Sequence, residues 1–480
     1  MAEKYDHKAI EKKWQDKWEK DGTFSAEENS DKPKQYILDM FPYPSGDGLH
    51  VGHVEGYTAT DIYSRYKRMR GFNVLHPMGW DAFGLPAENY AIKTGVPPQE
   101  TTDKSINNFR KQIKALGLSY DWSREVDTHN PDYYRWTQWL FAKFFEKGLV
   151  YKKKALVNWD PVDQTVLANE QVLPDGTAER SGVKVEKRDL EQWFFKITDY
   201  ADELADSLDQ VDWPESTKTN QRNWIGKSEG AQIKFPISNS QFSIEVFTTR
   251  PDTLFGATYL VLAPEHPLLQ EVASNKLQVS NKEEVLKYVN GAKSKSDIDR
   301  SAEGKEKTGV ELKGVKAINP ANQEEIPVWV ADYVLGHYGT GAIMAVPAHD
   351  ERDREFAEKF GLPIREIELE DPKEITKRVG GTWTKKYRLR DWLISRQRYW
   401  GAPIPIVYDP EGKPHAVPEE HLPWMLPTDV EFKPTGTSPL GQSKELAERT
   451  EALFGKGWKP EADTMDTFAC SSWYFFRFAD

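Results

Sequence analysis

The segment from Phe41 to His53, which reads FPYPSGDGLHVGH, constrains the fold of this chain more than any other. An apolar run at 34–41 predicts a strand, and a loop rich in proline and glycine follows it. Apolar residues at helical spacing predict a helix over 50–70: Val54, Tyr57, Ile62, Tyr66 and Met69. Gly71 ends that helix and 72–76 predicts the next strand, so the segment predicts a βαβ unit.

The two histidines of this segment, His50 and His53, stand three residues apart at the predicted start of the helix. Residues at this spacing share a helix face, so both imidazoles can point into one crevice at the carboxyl end of the strand. A helix N-terminus also offers free backbone N–H groups and positive potential to a phosphate. The segment therefore predicts a nucleotide site.

Further segments support a family resemblance. They are MFPYPSG at 40–46, GWDAFGLPAE at 79–88, RLRDW at 388–392 and SRQRYWG at 395–401. Together with His-Val-Gly-His at 50–53, they resemble the bacterial leucyl-tRNA synthetases, which are class I aminoacyl-tRNA synthetases. The resemblance implies an α/β protein in which a class I Rossmann-type catalytic fold is interrupted by a mixed α/β editing domain.

The resemblance implies ATP-dependent activation of leucine, followed by transfer of the leucyl group to tRNA(Leu). His50, Gly52 and His53 would bind ATP, with both histidines stabilising charge on its phosphates. Asp81 would hold the ammonium group of leucine. Mg²⁺ would accompany ATP, held mainly by phosphate and water oxygens. Three residues would shape the leucine pocket: Met40, Phe41 and Tyr43.

A hydrophobic pocket separates leucine from similar amino acids by only ~1–3 kcal/mol, so such an enzyme needs an editing site. The segments 248–253 and 339–353 resemble the two sides of that site. Asp353 would bind the ammonium of a mischarged aminoacyl ester, and Thr253 would exclude the side chain of correctly attached leucine. The hydroxyls of Thr248 and Thr249 would position the hydrolytic water or the terminal ribose of tRNA. Arg250 and Asp350 would contribute to substrate binding. Without the resemblance, the threonine pair would indicate only a strand surface, and the two aspartates only helix N-terminal carboxylates.

The chain organisation predicted from these patterns has four parts. Residues 1–150 hold an N-terminal helix and the first half of the catalytic domain, and 229–365 form the inserted editing domain. Residues 366–480 form a linker and the return to the catalytic domain.

Residues 151–228 contain an insertion that resembles a small zinc module, but no cysteine stands at Asp160 or within 175–182, where relatives often have one. A structural zinc needs about four Cys or His ligands. We therefore expect no metal here, and a turn held by packing and hydrogen bonds.

The net charge of −12 argues against a generally basic nucleic-acid binder, so a tRNA partner would need a local positive surface. A candidate for that surface is the set Lys385, Lys386, Arg388, Arg390, Arg396 and Arg398, for which a solvated face is an equal alternative. No apolar stretch reaches the length of a membrane span, and a single cysteine, Cys470, fits a reducing cytosol. We expect a cytoplasmic protein.

The chain contains no Lys-Met-Ser-Lys-Ser-like loop, which is the second signature of the family. We expect either a fragment of a longer protein or one subunit that works with a second polypeptide carrying the C-terminal half. We also expect little leucine-dependent ATP–pyrophosphate exchange from this chain alone. Two alternatives remain: a synthetase of the isoleucyl or valyl type, and a noncatalytic tRNA-binding subunit. The intact histidine and editing residues argue against the second alternative.

Overall fold

The computed structural model describes residues 5–44, 48–167, 171–173, 175–293, 300, 306–336, 339–432 and 438–480. The chain divides into two compact units. Unit 1 comprises residues 1–171, 178–195 and 392–480, and unit 2 comprises 172–177 and 196–391. In the part of the chain that the structure describes, no helix is both long and apolar enough to cross a membrane.

The first part of unit 1 alternates helices and strands. Its helices are α1 (His7–Asp21), α2 (Val51–Met69), α3 (Leu85–Thr94), α4 (Pro98–Ala115) and α5 (Pro131–Glu146). Its strands are β1 (Lys34–Tyr36), β2 (Asn73–Leu75), β3 (Pro77–Trp80), β4 (Asp121–Asp127), β5 (Val150–Asp160), β6 (Thr165–Leu167) and β7 (Glu186–Phe195).

Unit 2 follows with short helices and two sheets. Its helices are α6 (Ala201–Ser207), α7 (Glu215–Ile225), α8 (Leu268–Ala273), α9 (Lys282–Lys293), α10 (Glu351–Phe360) and α11 (Pro372–Arg378). Its strands are β8 (Ser228–Pro236), β9 (Ser243–Thr248), β10 (Tyr259–Leu262), β11 (Gly309–Ile318), β12 (Glu325–Ala331), β13 (Ala342–Ala345) and β14 (Thr382–Lys386).

The chain then returns to unit 1. The strands of this part are β15 (Trp392–Leu393), β16 (Ser395–Arg396), β17 (Ile406–Tyr408), β18 (Pro414–Ala416), β19 (Lys459–Pro460) and β20 (Thr464–Met465). Its helices are α12 (Lys444–Phe454), α13 (Thr467–Ser471) and α14 (Tyr474–Arg477).

Parallel strand pairs position the first candidate site in unit 1. β1 pairs in parallel with β2, and α2 is the crossover between them, so the predicted βαβ unit is present. β3 pairs in parallel with β4 through α3 and α4. β1 spans only three residues, because the chain beyond Ile37 leaves the ladder and enters the loop before α2.

The outer face of α2 differs from the pattern read in the sequence. Ile62 is 64% exposed and Met69 is 87% exposed, and Tyr66 is also exposed. Asp61 and Ser64 are buried instead, and the Asp61 carboxylate accepts hydrogen bonds from the Arg65 guanidinium and the Ser119 amide. The helix is therefore held by these polar contacts together with the buried Tyr57 of the predicted stripe.

The core of unit 2 lies between its two sheets. One sheet has the strand order β11-β12-β10-β13, with β10 parallel to β12 and antiparallel to β13. The other has the order β14-β8-β9 and is antiparallel. Their buried aliphatic side chains, such as Ile233, Val246 and Val328, form one cluster that makes this unit a self-contained domain core.

Candidate functional site

The first candidate site lies at the N-terminus of α2. His50 is the residue that precedes the helix, and its backbone N–H donates to Nδ1 of His53 over 3.3 Å. The two imidazole rings stack with centroids 3.7 Å apart. A Cβ atom at Gly52 would come within 3.1 Å of a His50 ring carbon, so a larger residue between the histidines would press on the stacked pair. Partial burial, together with the charge of His50, lowers the pKa of His53.

Asp81 follows β3 and lies largely buried. Its amide donates to the carbonyl of Pro42 over 3.1 Å, which joins this segment to the loop before α2. Burial raises the pKa of the Asp81 carboxyl to about 7, opposed by hydrogen bonds from the Ser471 and Thr128 hydroxyls. The carboxylates of Asp466 and Asp127 raise it further. A buried carboxylate among other carboxylates is stabilised by a cationic ligand.

The three predicted leucine-pocket residues occupy different surroundings. Phe41 is buried and stacks on Tyr474 with ring centroids 4.2 Å apart. The Tyr43 hydroxyl is buried without a hydrogen-bond partner in the described part of the chain, and burial raises its pKa. A side chain at Gly84 would meet this hydroxyl at 3.2 Å. Met40 is 80% exposed, so the protein encloses Phe41 and Tyr43 but leaves Met40 open to solvent.

Two distant family segments meet through Glu88 on α3. Its carboxylate accepts the backbone N–H groups of Tyr399 and Trp400 over 2.9 and 3.1 Å. The Trp400 indole donates in turn to the carbonyl of Ala82, next to Asp81. Glu88 is buried, and burial raises the pKa of its carboxyl. These contacts hold 79–88 and 395–401 together as one wall of the site.

Two arginines of the predicted positive surface lie inside unit 1. Arg396 is 1% exposed and donates to the Asp466 carboxylate over 2.6 Å, so its charge is neutralised inside unit 1. Arg398 is also buried, and burial lowers its pKa to about 10. The interpretation of these two arginines as surface cations is therefore wrong. The spacing of basic residues in the sequence could not separate buried from solvated guanidinium groups.

The second candidate site lies in unit 2, where β9 ends at Thr248. The Thr248 hydroxyl accepts the amide of Arg250 over 3.0 Å, and the Arg250 guanidinium pairs with Asp252 over 2.9 Å. Thr253 is 2% exposed, and its hydroxyl donates to the carbonyl of Arg250 over 2.8 Å. These bonds fix the side chain of Thr253, so its position does not depend on a ligand.

Gly230 on the neighbouring strand β8 lets the Thr248–Thr249 loop lie close to that strand. A Cβ atom at Gly230 of β8 would lie 2.1 Å from the carbonyl oxygen of Thr248 and 3.0 Å from the Cα of Thr249. Such a contact is impossible without movement of the backbone. Gly230 therefore sets the distance between β8 and the Thr248–Thr249 loop.

The facing wall of this site is the turn between β13 and α10. Asp350 precedes α10, and its carboxylate accepts the amides of Arg352 and Asp353 over 2.9 and 3.2 Å. The Asp353 carboxylate accepts the amide of Val346 over 2.8 Å. Burial first, and then the charge of Asp350, raise the pKa of Asp353 to about 7. Asp353 is thus a second buried carboxylate suited to a cationic ligand.

The two segments of unit 2 line one cavity of about 270 Å³. The cavity contains all six residues predicted for editing, together with six more lining residues: Thr248, Thr249, Arg250, Thr253, Asp350 and Asp353, with Phe247, Ile343, Met344, Val346, His349 and Arg352. Two polar lining residues, His349 and Arg352, were not predicted from the sequence. Both lie within the 339–353 segment and flank Asp350, and that position is the only sequence signal for them.

Hydrogen bonds to Asp160 hold the turn after β5. The Asp160 carboxylate is buried and accepts the amides of Val162 and Asp163 and the hydroxyl of Ser181. Elsewhere in the described residues, Asp103, Asp127 and His129 bring three possible ligand atoms within 4.8 Å of one another. Both ring nitrogens of His129 already bond to these carboxylates, and these contacts outweigh burial to raise its pKa. In this structure the His129 ring therefore bridges the two carboxylates.

Comparison with known proteins gives consistent matches. The family described as tRNA synthetases class I (I, L, M and V) matches residues 13–233 and 371–471. The family described as leucyl-tRNA synthetase, editing domain, matches residues 222–397. A similar solved structure is the ternary complex of Agrobacterium radiobacter K84 agnB2 LeuRS with tRNA and LeuAMS, which is 41% identical with a TM-score of 0.86. The match covers 99% of this chain and 60% of that chain.

These matches confirm the α/β fold and the resemblance on which the site residues were assigned. They also favour the leucyl type over the isoleucyl and valyl types, because the editing-domain match is to the leucyl type. The chain belongs to the class I tRNA synthetases (I, L, M and V), and it contains a leucyl-tRNA synthetase editing domain.

Proposed function

We propose that this chain is part of a leucine-tRNA ligase. Such an enzyme activates leucine with ATP, charges tRNA(Leu) and hydrolyses mischarged tRNA. The observation that carries the proposal is the cavity of unit 2. In it, two segments separated by about 100 residues bring a fixed threonine and a buried carboxylate with a raised pKa to the same space. An ester with a free ammonium group and a small apolar side chain matches that combination of groups.

In the editing reaction, the ionised Asp353 carboxylate binds the ammonium of the aminoacyl ester. The apolar side chain of the ester meets Met344 and Val346, and Thr253 excludes leucine by occupying the space that leucine needs. Water then adds to the ester carbonyl, and the bond to the tRNA hydroxyl breaks. The amino acid leaves with a free carboxylate, and tRNA leaves with its hydroxyl restored. Thr248 and Thr249 orient the water or the terminal ribose, while Arg250 and Asp350 complete the substrate contacts.

In the synthetic reaction, the leucine carboxylate attacks the α-phosphorus of ATP and pyrophosphate leaves. His50 and His53 donate to phosphate oxygens beside the free N–H groups of α2, and Asp81 holds the leucine ammonium. Ammonium binding lowers the pKa of Asp81 from its value of about 7, which couples leucine binding to release of a proton. A hydroxyl of the terminal adenosine of tRNA then takes the leucyl group, and AMP leaves.

ATP is the nucleotide that we assign to the first site, with Mg²⁺ as its counter-ion. A magnesium ion bound to ATP is coordinated by phosphate and water oxygens and needs few protein ligands.

The chain spans 60% of the LeuRS chain that it matches, so charging of tRNA(Leu) is proposed for the complete protein. The remaining part would come either from a longer form of this chain or from a second polypeptide. We assign the reaction to the cytoplasm, as expected from the sequence.

Hydrolysis of isoleucyl-tRNA(Leu) by the purified chain tests this function. We expect release of isoleucine by the wild-type protein and a loss of roughly 10- to 100-fold in Asp353→Ala, because a charge-assisted contact to the ammonium disappears. Glu355→Gln is the matched control, since Glu355 is an exposed acid on the same helix. Equal rates for the wild type and Asp353→Ala would show that Asp353 does not bind the substrate.

A further inference from the structure

Helix α4 packs behind both substrate-binding segments of unit 1. The ring of Phe109 meets His53 edge-on at 6.1 Å and Trp80 at 6.4 Å. The Arg110 guanidinium binds the Glu125 carboxylate, which also accepts the Trp80 indole N–H over 2.5 Å. The same helix therefore contacts the histidine segment and the residue that precedes Asp81.

The most specific contact of this helix is made by Gln112. Its side-chain oxygen accepts the backbone N–H of Leu49 over 2.7 Å. Its amide group also fills the space beside Gly48, where a Cβ atom would lie 2.3 Å from the same oxygen. Gly48 has φ of +134°, a conformation that side chains rarely adopt. Glycine at this position thus permits both the backbone angle and the approach of Gln112.

The residue after Leu49 is His50, whose position depends on the backbone that Gln112 holds. Two hydrogen bonds fix consecutive backbone N–H groups: the Leu49 N–H to Gln112, and the His50 N–H to Nδ1 of His53. The second bond also orients the His53 ring, which stacks on His50. If the first bond is lost, nothing in the described part of the chain holds the Leu49 N–H in place, and the chain entering α2 is free to shift.

We propose that Gln112 is a positioning residue of the nucleotide site, which fixes the His50–His53 pair by holding the Leu49 amide. The inference rests on the proposed function of this pair in binding ATP phosphates. An amide suits this position better than a carboxylate, because it supplies an acceptor oxygen without adding negative charge near the phosphates.

Gln112→Met tests the proposal, since methionine has a similar length and no acceptor oxygen for the Leu49 amide. Gln112→Glu keeps an acceptor oxygen. Gln99→Met is the matched control, because Gln99 is exposed on the same helix. Three quantities are measured in each variant: hydrogen exchange of the Leu49 amide, the NMR resonances of the two imidazoles (assigned with His50→Gln and His53→Gln), and the Kd for ATP. A melting curve of each variant checks that the fold is retained.

We expect Gln112→Met to speed exchange at Leu49, to shift both imidazole resonances, and to raise the Kd for ATP by roughly two- to tenfold, the effect of one hydrogen bond. Gln112→Glu should keep Leu49 protected, and Gln99→Met should match the wild type in all three measurements. Unchanged exchange and unchanged imidazole resonances in Gln112→Met would overturn the proposal. Failure of the wild-type chain to bind ATP would instead contradict the assignment of an ATP site to this chain alone, while exchange and NMR still decide the role of Gln112.

Discussion

Replacement of Asp353 by asparagine should make unit 2 more stable while disabling editing. The side chain of Asp353 is 6% exposed and carries a carboxyl whose pKa rises from 3.8 to about 7. The first cause is burial, and the second is the negative charge of Asp350. At 1.36 kcal/mol for each pKa unit, this rise corresponds to about 4 kcal/mol of lost stability once the group is ionised.

The sign of the pH dependence follows from the raised pKa. The folded state holds the proton of Asp353 more tightly than the unfolded state does, so the stability from this group is complete below pH 3.8. It is lost as the pH rises through about 7. Asparagine carries no charge to bury, and its side-chain oxygen can still accept the amide of Val346. The advantage of Asp353→Asn should therefore approach about 4 kcal/mol at pH 8 and shrink as the pH falls towards 4.

Hydrogen exchange measured in increasing urea, with peptides from unit 2 analysed by mass spectrometry, gives the free energy of unfolding of this unit at each pH. We expect the urea midpoint of Asp353→Asn to exceed that of the wild type at pH 8, with a smaller difference at pH 5. Glu355→Gln should show no such pH-dependent gain. An Asp353→Asn protein that is no more stable than the wild type at pH 8 would refute the argument that burial of this carboxylate outweighs the contacts that stabilise its charge.

Three further substitutions test other contacts. Thr253→Ala removes the fixed side chain that excludes leucine, so the variant should hydrolyse leucyl-tRNA(Leu) as well as isoleucyl-tRNA(Leu); a variant that still spares leucyl-tRNA(Leu) would refute this role. Gly230→Ala should displace the Thr248–Thr249 loop and lower hydrolysis at least about tenfold, because its Cβ atom would lie 2.1 Å from the Thr248 carbonyl oxygen; unchanged hydrolysis would show that the loop does not depend on this spacing. Glu88→Ala leaves the amides of Tyr399 and Trp400 unpaired in the core and should cost about 2–5 kcal/mol in a urea titration of unit 1. A cost close to zero would contradict the bridge between the two segments.

The sequence predicted those elements of the fold that depend on residues close together in the chain. The sequence pattern predicted a helix that starts at His50 and ends before Gly71. The structure has this helix at Val51–Met69, between two parallel strands. The threonine segment and the Asp353 segment, assigned by resemblance, line one cavity.

Other features depend on contacts between residues far apart in the sequence. Gln112 acts on Leu49 across 63 residues, and no periodicity marks it as a partner. Arg396 pairs with Asp466 across 70 residues, so its burial could not be distinguished from a surface charge. The burial of Asp61 on α2 was missed for the same reason, because its carboxylate accepts the amide of Ser119 in a distant segment.

The most direct test of the central claim compares two substrates of the purified chain: isoleucyl-tRNA(Leu) and leucyl-tRNA(Leu). The cavity that joins Thr253 to Asp353 predicts release of isoleucine, and a rate for leucine that is at least about tenfold lower. Equal release of both amino acids would contradict the role of Thr253 in selecting the substrate. No release of either, with tRNA(Leu) shown to bind, would contradict the claim that this chain carries a working editing site.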